Sequence, residues 1–245
     1  MQERRILMEK IITYDTLRSF AYSNDKICTG PIRGIAVSFF GLGGASMFSD
    51  DTAEGKFFAE HNIVYIIPYA NPWAWMNRQT AAYTDEIIDV IIRHYDLPDN
   101  IPIVSTGGSM GGQSALVYMV YAARTPAACV ANCPVCDLPF HFTERPDLPR
   151  TLYSAFGTYE GTLQDALESA SPFHLTEHMP DSVYYIFHCE ADLAVNKQKH
   201  SDRFVEKMSK KHNITYFAVP ERGHCDLTPE MRQKYNDAIV SSIFG

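Results

Sequence analysis

Short apolar runs alternate along the chain with stretches of helical periodicity. Gly34 to Phe40 (GIAVSFF), Ile63 to Ile67 (IVYII), Ile101 to Ser105 (IPIVS) and Val183 to Phe187 (VYYIF) are rich in β-branched and aromatic residues. Ala127 to Ala131 is a weaker run of the same kind, and Ile214 to Val219 (ITYFAV) is the last. Continuous apolar runs of this length predict strands covered on both faces. Between them, Thr80 to Tyr95 brings Ile87, Ile88, Ile91 and Ile92 onto one helical face. Gly112 to Arg124 reads as a second helix stopped by Pro126, and Asn196 to Lys211 and Pro229 to Ile243 as two more. Such alternation predicts an α/β fold, with a mostly parallel central sheet and helices on both faces. The residues before Gly34 are read as an antiparallel hairpin at one edge. Phe140 to Leu175 breaks the rhythm and is too long for a plain loop, so a cap insertion is expected over roughly residues 137–175.

The 245 residues suit a single domain, 1–245, and neither repeat nor linker divides them. Hydrophobic residues make up 46% and charged residues 20%, which excludes a disordered chain. A formal net charge of -8 argues against nucleic acid and against anionic membrane surfaces as partners. Glu9, Lys10 and Asp15 interrupt the first apolar stretch, so the chain is expected to be cytoplasmic. Cys133 and Cys136 form a C-x-x-C without a second pair or paired histidines at zinc spacing. They are read as ordinary reduced thiols; no metal and no cofactor is expected.

The chemistry begins at Gly107-Gly108-Ser109-Met110-Gly111-Gly112, a G-x-S-x-G that follows one predicted strand and opens a helix. Strand, tight turn and helix together make a nucleophile elbow, with the serine hydroxyl thrust out at the carboxyl edge of the sheet. The alternative is a glycine-rich turn that packs or holds a phosphate. Partners of such a serine follow in the order acid, then histidine. His224, just after the last strand, has the loop seat a general base needs. Asp192, in the turn Glu190-Ala191-Asp192-Leu193-Ala194-Val195, is the candidate for orienting it. Asp137, after the preceding strand, and Glu190 are the rivals. His188 falls on a strand and reads as core; His200 and His212 read as surface positions on a helix. The backbone N–H of Met110 is expected to be one oxyanion donor. Phe40-Gly41-Leu42-Gly43-Gly44 should supply the second, from Leu42 or else Gly41.

The elbow, the E-A-D-L-A-V turn and the R-G-H loop resemble the α/β-hydrolase superfamily from about Gly34 onward. Ser171-Pro172 before a strand, the acid turn and the short stretch to the histidine resemble its esterase and prolyl-oligopeptidase-like branch. Phe40 departs from the usual histidine of an H-G motif, and Cys189 from the usual glycine of the acid turn. The resemblance implies a serine hydrolase acting on a small-molecule ester or acyl substrate. A peptide or amide hydrolase of the same mechanism and a non-catalytic binding protein are the alternatives. Too few residues precede Gly34 for a β-propeller. Trp73 and Trp75, after the Ile63 to Ile67 strand, either line a substrate pocket or pack the loop against the cap. Phe140, Phe142, Tyr153, Phe156, Tyr159 and Phe173 either wall an acyl pocket or form the cap's own core.

Overall fold

The computed structural model describes residues 11–245. Seven strands form one sheet in the order β1-β3-β2-β4-β5-β6-β7. They are β1 (Ala21–Ser23), β2 (Gly34–Phe39), β3 (Ile63–Pro68), β4 (Ile103–Gly108), β5 (Ala128–Asn132), β6 (Val183–Cys189) and β7 (Asn213–Val219). All neighbours are parallel except β1, which runs antiparallel to β3. The strand order reverses between β2 and β4, and sheets of this kind hold their ligands outside the carboxyl ends at that switch.

Alternate side chains of each strand meet different helices. Ile35, Val37, Val64 and Ile66 join the core containing α2 (Arg78–His94), α3 (Met110–Tyr121) and α7 (Arg203–Met208). Ala36, Tyr65, Val104 and Val130 face the opposite core, with Phe58 of α1 (Ala53–Glu60) and Tyr235 and Ile239 of α8 (Pro229–Phe244). Ile87, Ile88 and Ile91 of α2 are fully buried, as their spacing predicts. Asn77 caps that helix by accepting from the Thr80 N–H.

Between β5 and β6 the chain forms α4 (Leu138–Glu144), α5 (Leu148–Phe156) and α6 (Leu163–Ser169). Leu138, Leu148, Leu152, Phe156 and Leu167 make a third apolar cluster with Trp75 and Met110, which ties this segment to the mouth of the sheet. Among the described residues no helix is long and apolar enough to cross a membrane.

Two expectations need correction. Among the described residues, the stretch read as an edge hairpin contributes one short strand, β1; residues 1–10 of that expectation lie outside the described part. The Asn24 side chain donates to Gly55 O and Ile63 O and accepts from Tyr65 N–H, so the chain is pinned and turns away after β1. The helix expected over Asn196 to Lys211 begins as a π-helical turn, Gln198–Asp202, before α7. His200 there is fully buried, not a surface residue.

Candidate active site

Ser109 stands between β4 and α3 with φ 60 and ψ -125. This conformation costs a non-glycine residue about 1–3 kcal/mol and persists only where its surroundings enforce it. The surroundings are tight: a Cβ on Gly111 would lie 2.1 Å from Phe39 O. The Ser109 N–H is held by Asn132 O at 2.9 Å, and its carbonyl accepts from Gln113 N–H. The serine is thus fixed at the positive end of α3, whose first N–H groups face outward.

Asp192 lies in the turn after β6, with its side chain out of solvent. One carboxylate oxygen accepts from Ala194 N–H and Val195 N–H at 2.8 and 2.9 Å. The other accepts from His224 Nδ1 at 2.6 Å, with His188 Nε2 3.4 Å away. Burial opposes ionisation of Asp192, but these donors outweigh it and hold the carboxyl far below the usual range. His224 follows β7. Burial alone would lower its pKa; the Asp192 carboxylate overcomes that and raises it to about 9. The Cys133 thiol beside it is itself pushed up, so at neutral pH the charge facing His224 is that of Asp192. No hydrogen bond joins Ser109 to His224 here; His224 Nε2 is 3.8 Å from Cys225 Sγ.

The rival acids take other places. Asp137 caps α4 by accepting from Phe140 N–H and pairs with Arg203 at 2.9 Å. Glu190 is exposed. His188 is core, as expected: Ser201 Oγ lies 2.6 Å from its Nδ1, and Nε2 donates to Val195 O.

Ser109, His224, Gly41, Leu42 and Trp75 line one cavity of about 460 Å³. The backbone N–H groups of Met110, Leu42 and Gly41 have no backbone partner, whereas those of Gly43 and Gly44 bond Pro72 O and Gly41 O. Of the first three, Gly41 and Leu42 border the cavity. The two tryptophans part company. Trp75 is buried, donates to Thr151 Oγ1 at 3.1 Å and borders the cavity. Trp73 lies outside it, beneath the Arg150 guanidinium, because the chain turns sharply through left-handed backbone at Trp75 and Met76.

All six cysteines are free, and Cys133 and Cys136 face different neighbours. Cys133 Sγ accepts from the N–H groups of Cys189 and Cys225; Cys136 lies against Pro134 O. Three side-chain groups have ligand atoms close enough to hold an ion: Cys133 with His224 and Cys225, Cys133 with His188 and Asp192, and His141 with Glu144 and His200. Linear spacing showed none of them. The cavity also takes in His141 and Arg145, which the sequence did not single out for the site. His141 had only its place in the aromatic-rich insertion to mark it.

No family model matches the chain, and no curated protein matches it. Solved structures do. A puromycin hydrolase superposes with a TM-score of 0.70 at 15% identity, covering 89% of this chain and 35% of the other. Pyrococcus horikoshii acylaminoacyl peptidase gives 0.67 at 12% identity, covering 87% and 37%. Thermogutta terrifontis esterase 2 gives 0.63 at 20% identity, covering 89% and 86%. The chain therefore spans about a third of the first two and most of the third. These likenesses define the architecture: the chain has the α/β-hydrolase fold.

Proposed function

We propose that the protein is a serine hydrolase that cleaves a carboxylic ester or related acyl compound. The observation that carries this reading is a strained, exposed-edge Ser109 sharing one cavity with a histidine held by a buried carboxylate. In the reaction, His224 takes the Ser109 proton as Oγ attacks the acyl carbon. Asp192 accepts from Nδ1, which leaves Nε2 as the basic nitrogen and stabilises the imidazolium. The N–H groups of Met110 and Leu42 (or Gly41) receive the oxyanion. His224 then protonates the departing alcohol, and water hydrolyses the acyl-serine by the same route. The relay requires His224 Nε2 to engage Ser109 Oγ, and such bonds often tighten only around substrate.

The inserted segment 137–175 is read as the cap. Ester cleavage is favoured because the Thermogutta esterase is matched over most of its length, whereas the two longer neighbours are not. Those two, named for puromycin and acylaminoacyl peptides, support amide or peptide cleavage as the second reading. The free cysteines are compatible with a reducing compartment, which supports a cytoplasmic location as part of this reading.

A fluorophosphonate probe tests the reading. It should label Ser109, and Ser109→Ala should abolish labelling and lower turnover of p-nitrophenyl esters by at least ~10³ with unchanged circular dichroism. Full turnover in that variant would exclude the serine mechanism.

A further inference from the structure

The cavity that Ser109 lines is also lined by His141, a histidine paired with a carboxylate that the mechanism above does not use. His141 on α4 has a side chain only 3% exposed, and its Nδ1 lies 2.5 Å from Glu144 Oε2. The same oxygen is 2.8 Å from His200 Nε2. Protons in this cluster can be assigned from the outside inward. His200 Nδ1 accepts from the backbone N–H groups of Cys136 and Asp137, at 3.1 and 3.2 Å. Its proton is therefore on Nε2 and goes to Glu144. The two imidazoles hold Glu144 ionised: burial opposes this, but their hydrogen bonds bring its pKa down to about 2. An ionised carboxylate only accepts, so His141 must present Nδ1–H to it. Burial, the largest influence on the His141 ring, lowers its pKa and keeps it neutral. Nε2 of His141 is then a bare lone pair.

That lone pair has no hydrogen-bond partner among the described residues. It is also absent from the fully buried side-chain atoms that lack one, which are Arg18 Nη1, Asn132 Oδ1 and His212 Nδ1. It is thus open to solvent space, and its ring borders the Ser109 cavity. Arg145 on the same wall spends Nε and Nη2 on Asp147. We infer that His141 is a specificity residue whose Nε2 accepts a hydrogen bond from a hydroxyl or amide N–H carried by the acyl part of the substrate. Glu144 and His200 act as positioning residues that fix its tautomer and ring plane. The inference rests on the serine-hydrolase reading and narrows its substrate to donor-bearing acyl esters. A site built around a fixed acceptor rejects the analogue that lacks the donor, because the acceptor is then desolvated without a partner.

The test uses p-nitrophenyl esters in matched pairs: butyrate against its 2-, 3- and 4-hydroxy forms, and propionate against N-acetylalaninate. Intact protein should turn over at least one donor-bearing ester with kcat/KM tenfold or more above its plain partner. His141→Phe, which keeps the ring volume, should remove that preference by lowering kcat/KM for the donor-bearing ester at least tenfold more than for its plain partner. His141→Gln places an amide oxygen near the Nε2 position and should restore part of the preference. Fluorophosphonate labelling is followed in parallel. Labelling with no preference in any pair, or with equal losses on both members of a pair in His141→Phe, overturns the role of His141 and leaves the nucleophile intact. Loss of labelling and turnover in the unmodified protein overturns the serine reading, and this inference with it.

Discussion

His224 binds its proton more tightly than a free imidazole, and the direction has two opposite consequences. With a pKa raised from 6.5 to about 9, the folded state holds a proton that the unfolded state gives up. The Asp192–His224 ion pair therefore adds stability fully below about pH 6.5, and that stability fades as pH climbs toward 9. Catalysis needs the neutral base, so kcat/KM should rise through the same window, with its acid limb clearly above the ordinary histidine value. Asp192→Asn removes the charge responsible. It should shift that limb toward acid and cost up to ~10⁴ in kcat by favouring the wrong tautomer. Asp137→Asn should do neither, since asparagine caps helices nearly as well as aspartate and Asp137 pairs with Arg203, not with His224. A pH–rate series on the three proteins decides; a dead Asp137→Asn beside an active Asp192→Asn would move the acid to the earlier strand. The contact of Asp192 with His224, and the cavity that His224 shares with Ser109, were legible from their seats after predicted strands. His141, Glu144 and His200 were not, because their cluster exists only where α4 meets the turn before α7. The separation of Trp73 from Trp75 depends on left-handed backbone that no side-chain pattern encodes.

At the scale of elements, the elbow is a contact between backbones. Gly111 packs so closely on the end of β2 that an added methyl would meet Phe39 O at 2.1 Å and Phe39 C at 2.8 Å. Neither atom can yield without shifting a central strand. Gly111→Ala should therefore lower the melting temperature, by an amount corresponding to 1–3 kcal/mol or more, and reduce probe labelling of Ser109. An unchanged melt and unchanged labelling would mean that strand and helix can part freely there. Central strands announced themselves because they are apolar on both faces; β2 through β6 were found to within a few residues. Other elements were hidden for physical reasons. α1 is short, carries Gly55 and presents few apolar residues, so it depends on its Thr52 cap and on Phe58 reaching the core. β1 is three residues long and takes its place from β3 and from the Asn24 side chain, not from its own pattern.

Across the whole molecule, the insertion shares its apolar cluster with the site. Gln113 of α3 donates to Trp75 O and to Ala170 O, at 3.1 and 2.7 Å, so the elbow helix is stitched both to the tryptophan loop and to the end of α6. Trp73 and Trp75 are the two tryptophans of the chain. Their fluorescence reports on this region, whereas far-ultraviolet circular dichroism reports on every helix and strand. In denaturant the two signals should trace one coincident transition, since the insertion packs on Trp75 and on Met110 of the elbow helix and is bonded to it through Gln113. An earlier fluorescence change would show that the insertion opens by itself.

The proposed triad is assembled from the ends of three separate strands, with Ser109 after β4, Asp192 after β6 and His224 after β7. A chain leaving the ribosome delivers the serine first, the carboxylate next and the imidazole last. Until β7 pairs with β6, His224 has no seat beside Ser109, and the proposed relay lacks its last member. On the proposed mechanism, hydrolytic competence would mark the completion of the sheet.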